Sequence, residues 1–250
     1  MPSTKKENFG SISNDKFVTI YTLRNTKGNE LKVTDYGARI VSLRFRNKSF
    51  ANKFPIVGYE KISDYENDEK NLGAIFIDGD TPFSKKIWNA EETVEGVKFS
   101  INENEKNISV IYSISNDNEL SIKYETKGVE DITAALTFDG EIFKNPSVKV
   151  FSNDFKGENF GEWQIIDKPA TVEFVEGMFG FDIGCPIDYY DAGLKNAAEI
   201  VSESENLILQ VYAAQNKIQI SNDLTIKTIG SKSENGIIKS QTVYILKNKK

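Results

Sequence analysis

The side chains able to do chemistry in this chain are few, and almost all are acids. Asp78, Asp80 and Trp88 lie in the run N-L-G-A-I-F-I-D-G-D-T-P-F-S-K-K-I-W (71–88), Asp139 in L-T-F-D-G, and Asp188 in P-I-D-Y-Y. The 250 residues contain no histidine. That removes Ser-His-Asp and Cys-His catalysis, histidine metal sites and imidazole as a general acid near neutral pH. A zinc site would need four cysteines or several carboxylates, and Cys185 is the single cysteine. Acid–base work therefore falls to Asp, Glu, Lys or Tyr, and we expect no metal and no cofactor. Burial can tune a carboxylate such as Asp139 into a proton donor. Each candidate also has a plainer reading. Asp139 before Gly140 can simply end a strand, Asp188 can be a turn residue after Pro186, and Asp78 and Asp80 can face solvent in a G-D-T-P turn. Trp88 after an apolar Ile can pack in a core, and Cys185, with no histidine partner, reads as a packed thiol.

The elements that must carry these residues are strands. In N-I-S-V-I-Y-S-I, Ile108, Val110, Tyr112 and Ile114 share one face at period two. After the polar turn S-N-D-N-E, Leu120, Ile122 and Tyr124 do the same, which predicts a hairpin. Further strand-like runs cover 17–23, 39–45, 133–138, 162–166, 206–212, 217–221 and 241–246. Gly, Asn, Asp and Pro punctuate them. The best helical candidate, around Leu194 to Val201, is about two turns long. The pattern predicts an all-β fold, a large antiparallel β-sandwich. No Pro/Gly/Ser-rich linker or fixed-period repeat divides the chain, so one domain over 1–250 is expected.

Composition narrows the partners. Hydrophobic residues make up 39% and charged residues 27% of the chain, as in soluble globular proteins. The formal charge is -6, and the lysines are dispersed, which argues against nucleic acid and anionic membranes as partners. No apolar run reaches the roughly 18 residues of a membrane span. The N-terminal M-P-S-T-K-K-E-N-F-G lacks the apolar region of a secretory signal, and a single cysteine cannot form an internal disulfide. A cytoplasmic location is the expectation.

Several segments in order resemble the galactose mutarotase (aldose 1-epimerase) family. F-V-T-I-Y-T-L-R-N-T-K-G-N-E-L-K-V-T-D-Y-G-A-R-I-V-S-L-R-F is similar to the family's opening strands, through Tyr21, Leu23, Asn25, Gly28, Tyr36, Gly37, Ala38, Ser42 and Leu43. I-V-G-Y-E-K-I-S-D-Y-E, G-D-T-P-F-S-K-K-I-W-N-A, E-L-S-I-K-Y-E-T and I-D-Y-Y-D-A-G continue it, and the likeness runs to about residue 222. The resemblance implies a galactose mutarotase-like supersandwich and a sugar or sugar derivative as small-molecule partner. Mutarotation needs a base for the C1 hydroxyl and an acid for the ring oxygen, and the family uses a C-terminal glutamate and two histidines. Here the first histidine position, in L-H-G-G, reads as Ile77, and the second, in T-N-H, reads as Asp139. The family's G-R-x-A-N-R-I segment has no counterpart between Gly73 and Asp78. Near the chain end, only Glu234 in S-E-N-G stands near the place of the base.

One acidic position carries over by resemblance, Asp188 as a contact to sugar hydroxyls; Trp88 as a stacking face and Asp78 and Asp80 as further hydroxyl ligands are added as candidates. Asp139 is the candidate catalytic acid. The expected function is carbohydrate binding without efficient catalysis, by a monomer or weak homodimer. Two alternatives stay open: an active epimerase built on carboxylates, and a protein-interaction domain with no sugar site.

Overall fold

The computed structural model describes residues 3–46, 55–78, 82–143, 146–150, 155–159, 162–166, 170–173, 183–186, 194–202, 205–214, 217–220, 223–231 and 235–248. Its strands are numbered in chain order. A four-stranded sheet takes them in sequence: β1 (Ser3–Ser11), β2 (Phe17–Arg24), β3 (Glu30–Thr34) and β4 (Arg39–Arg44).

A seven-stranded sheet has the order β13 (Glu162–Ile166), β12 (Phe155–Asn159), β15 (Ile183–Pro186), β18 (Lys217–Ile220), β19 (Thr225–Ser231), β10 (Asp131–Thr137) and β5 (Ile75–Ile77). A nine-stranded sheet runs β14 (Ala170–Glu173), β11 (Ser147–Val150), β16 (Lys195–Ser202), β17 (Leu207–Ala213), β20 (Ile237–Asn248), β9 (Glu119–Lys127), β8 (Lys106–Ile114), β7 (Val97–Glu103) and β6 (Asn89–Glu92). Neighbouring strands pair antiparallel throughout these sheets. This is the all-β sandwich that the alternating pattern predicts.

The hairpin read from the sequence forms as β8 and β9, closing at Ile114 opposite Leu120. Ile108, Val110, Tyr112, Leu120, Ile122 and Tyr124 are all buried, while the residues between them are at least partly open. Alternation puts every second side chain on the core face, so one buried face suffices to fix the register. The segment around Leu194 differs from expectation: Lys195–Ser202 is β16, paired to β11 and β17. Its Ala197, Ala198 and Ile200 sit in the core, and sheet pairing on both edges overrides the weak helical pattern. Helix is confined to α1 (Ile62–Glu66) and one 3-10 turn (Pro82–Lys85) among the described residues. No helix there is long and apolar enough to cross a membrane.

The main core gathers side chains from Tyr21 to Leu246. Thr228 on β19 and Thr242 on β20 meet at 2.9 Å, joining the two large sheets through that core. A second, smaller core lies on the other face of the four-stranded sheet, where Val18, Ile20 and Val41 pack with Ile62 and Tyr65 of α1. The candidate site lies at the edge of that second core.

Candidate functional site

The loop from Asn71 to Trp88 is built into the scaffold at both ends. Arg39 on β4 is wholly buried, as is Asp68, and they pair at 3.0 Å. The same guanidinium donates to the Leu72 and Ser84 carbonyls and to Asn71 Oδ1, so one side chain ties β4 to both limbs of the loop. It also lies over the rings of Tyr36 and Tyr65. Burial lowers the Arg39 pKa, and Asp68 opposes that shift. Gly73 has φ +66°, and a Cβ there would stand 2.1 Å from the Ile40 carbonyl oxygen, so the loop rests directly on the β4 backbone.

Farther along, Asp78 Oδ2 accepts from the Lys106 ammonium at 2.6 Å, and Oδ1 accepts the N–H groups of Glu130 and Asp131. Partial burial pushes this carboxyl up. The hydrogen bonds from Lys106 and the two N–H groups outweigh that and hold it below its ordinary value. Trp88 is 2% exposed in the main core, and its indole N–H donates to the Phe83 carbonyl. Ile77 is fully buried in the same core. Asp80, Asp188 and Glu234 lie outside the described residues, as does the Cys185 side chain.

Asp139 is placed differently. It follows β10, where its N–H donates to the Pro55 carbonyl, Ile56 bridges Phe138, and Val57 donates to Thr137. Its Oδ1 accepts the Glu141 N–H at 2.8 Å, with a longer contact to the Ile142 N–H, as a turn-capping carboxylate does. Asp139 is also one wall of a cavity of about 510 Å³ between segment 55–60 and the outer face of the four-stranded sheet. Phe9, Lys32, Ser42, Tyr59 and Glu60 share that lining.

Segment 55–60 is held rigidly. A Cβ on Gly58 would stand 2.0 Å from the Val41 carbonyl oxygen, and the Tyr59 N–H donates to the Tyr65 hydroxyl at 2.9 Å. The Tyr59 and Tyr65 rings meet edge-on at 5.0 Å. Volume, apolar walls and a few converging polar groups are what a small-molecule site needs. On β10, next to the edge of the seven-stranded sheet, Thr133 and Ala135 are buried as well as the core-facing Ala134.

No protein-family model matches the chain, and no curated protein matches it in sequence. Solved structures do match. Galactose 1-epimerase from Lactobacillus acidophilus superposes with a TM-score of 0.76, at 13% identity, over 99% of this chain and 99% of that one. An aldose epimerase homologue from C. elegans gives 0.74 at 15% identity, covering 92% and 98%. A galactose mutarotase-like protein from Clostridium acetobutylicum gives 0.65 at 12% identity, covering 99% of each chain. The fold is galactose mutarotase-like.

Within this galactose mutarotase-like fold the sequence-expected residues part company. Ile77 is buried in the core, and Asp139 lines the cavity. Asp78 is engaged by Lys106 and Trp88 by the core, so neither reaches the cavity. Lys32, Ser42, Tyr59 and Glu60 were not singled out from the sequence as site residues, and Ser42 entered only as part of the family-like opening strands. They read there as ordinary strand and loop positions, and only the packing of segment 55–60 over β3 and β4 brings them beside Asp139.

Proposed function

We propose that the protein binds a small sugar or sugar derivative in the cavity beside Asp139, and that it interconverts anomers slowly or not at all. The observation that carries the reading is the cavity itself. Within a galactose mutarotase-like fold, Asp139, which the sequence resemblance reads at a family histidine position, lines a space of about 510 Å³ together with Phe9, Tyr59, Ser42, Lys32 and Glu60. An aromatic ring offers a flat apolar surface, and the polar groups fix the orientation of a hydroxylated ligand. Asp80 and Asp188 remain proposed hydroxyl ligands from the sequence resemblance. Asp78 and Trp88 are assigned to the scaffold.

The weakness of catalysis follows from chemistry. A positioned general acid or base typically contributes about 10²- to 10⁴-fold. This chain has no histidine, and Asp139 Oδ1 is already committed to backbone N–H groups. One observation favours the opposite reading: Glu60 and Asp139 line the same cavity, so a carboxylate pair is present in it. Polarimetry of freshly dissolved α-glucose and α-galactose separates the two, using micromolar wild type, Asp139→Asn and Glu60→Gln. We expect all three to follow the buffer rate. A wild-type rate far above buffer, lost in either variant, would establish a carboxylate mutarotase. Binding is read separately by thermal shift, where a ligand at 100 times its dissociation constant stabilises by about 2.7 kcal/mol. Silence with every hexose, pentose and sugar acid would leave the interaction-domain reading.

A further inference from the structure

Asn235 is the only asparagine in the chain that is followed by a glycine. It is exposed, and with Gly236 it forms the step into β20. Gly236 has φ +73°, and a Cβ built on it would meet nothing within 4 Å. Glycine supplies the positive φ that such a turn requires. The same choice leaves the Gly236 nitrogen with no side chain beside it, and the space a Cβ would fill is empty.

The Asn235 side chain folds back along the main chain, where its Oδ1 accepts the Ile237 N–H at 3.2 Å. The ring closed by that bond contains both the Asn235 carboxamide and the Gly236 amide. A hydrogen bond to Oδ1 also draws electron density from Cγ. Asn71, Asn104, Asn118 and Asn206 share a positive φ, but Leu72, Glu105, Glu119 and Leu207 follow them and shield the next nitrogen. Asp139 precedes a glycine too, but an ionised carboxylate is a poor electrophile.

We propose that Asn235 is a modification site, at which the folded protein deamidates spontaneously through a cyclic imide. The Gly236 main-chain nitrogen gives its proton to solvent base and attacks Asn235 Cγ. The new N–Cγ bond closes the ring, and the carboxamide nitrogen takes up a proton and leaves as ammonia. Water then opens the ring. Attack at Cγ gives aspartate, and attack at the main-chain carbonyl gives isoaspartate, whose main chain runs through Cβ and Cγ. No oxidant or reductant takes part.

Either product adds a negative charge to the turn. Only isoaspartate lengthens the main chain, directly before Ile237, whose pairing with Lys127 begins the β9–β20 ladder. Ile238, the next residue, is buried. The isoaspartate form therefore disturbs that end of β20, and the aspartate form does not.

The test is a timed incubation of the folded chain in mildly acid and mildly alkaline buffer, beside a sample unfolded in urea. Peptide mass spectrometry and isoaspartyl methyltransferase labelling follow the products in wild type, Asn235→Gln, Asn235→Asp and Gly236→Ala. Melting temperatures confirm that the variants are folded. Expected in folded wild type is conversion of amide to acid in the peptide holding Asn235, with isoaspartate present and the rate higher in alkaline buffer. Asn235→Gln should abolish it, because closure then needs a larger ring, and Gly236→Ala should slow it. Aged wild type should melt below fresh protein, while Asn235→Asp melts with the fresh protein. Conversion in urea but not in the folded chain would overturn the proposal, since the turn would then protect the site. Conversion only at other asparagines would overturn it as well, as would aspartate without isoaspartate, the mark of direct hydrolysis.

Discussion

Asp35 shows what burial does to a single group in this fold. It sits at the end of β3, 7% exposed, with the Thr19 N–H donating to its Oδ1 at 2.9 Å. Burial pushes its carboxyl up to about 6, against the smaller downward pull of its hydrogen bonds to Thr19. Since the folded value lies above the ordinary value of 3.8, the folded state holds the proton more tightly than the unfolded chain. Stability from this group therefore falls as pH rises from about 4 to about 6, by up to about 3 kcal/mol, and is flat above. Asp35→Asn keeps the acceptor for Thr19 and should flatten that slope in urea titrations between pH 4 and 7. An unchanged slope would show that Asp35 ionises freely in the folded state. Asp78 acts with the opposite sign. Its lowered carboxyl contributes stability near neutral pH that is lost as pH falls through its folded value.

At the scale of elements, the loop from Asn71 to Trp88 depends on β4. Arg39→Met leaves Asp68 buried without its cation, and breaking a buried pair this way costs about 3–5 kcal/mol. Replacing Asp68 as well should recover only part of that, because Asp68 also accepts the N–H groups of Lys70 and Leu72. Equilibrium unfolding of the two single variants and the double variant measures the coupling. A loss below about 1 kcal/mol for Arg39→Met, the size of an exposed pair, would show that the loop does not rely on it. Gly73→Ala should also destabilise, since both its left-handed φ and the contact with the Ile40 carbonyl oppose a side chain. The wall of the cavity is set the same way, by Gly58 against Val41 and by Tyr65 under Tyr59. Tyr65→Phe removes the acceptor of the Tyr59 N–H, and should weaken ligand binding several-fold while leaving the β-rich circular dichroism spectrum intact.

For the whole molecule, the decisive pairings are distant in sequence. β20 lies inside the nine-stranded sheet, with β9 on one edge and β17 on the other. Its Ile238, Val243, Tyr244 and Leu246 are buried. A chain ending before Ile237 leaves both neighbours with an open edge and removes the Thr228–Thr242 link, so it should fail to fold. A truncated chain with native-like circular dichroism and a cooperative melt would refute that. Because the main core draws on residues from Tyr21 to Leu246, we propose that the intact protein is one domain and melts in one calorimetric transition. Two resolved transitions would divide it. Folding should be slow for its size, since long-range strand pairing bears its loop-closure entropy before any contact stabilises it.

The sequence by itself determined strands such as β2, β4, β8, β9, β10, β17 and β20, and the buried face of the β8–β9 hairpin, but not β1, β3, β7 or β19. Period-two alternation is local, and a strand such as Ile108–Ile114 has one arrangement that hides its apolar side chains. The ordered family-like segments also anticipated the galactose mutarotase-like fold that the superpositions show. Of the cavity lining, the sequence singled out Asp139 alone as a candidate site residue, because T-F-D resembles a family motif. Local pattern misread Leu194 to Val201, where two neighbouring strands decide the conformation. It also could not separate Asp78 from Asp139, both acids beside a glycine. Lys106 and two backbone N–H groups arrive at the first, and an open cavity at the second. Only the tertiary structure could make that distinction, because the cavity is assembled from residues as far apart as Phe9, Lys32, Tyr59 and Asp139, and no spacing in the sequence encodes where they meet.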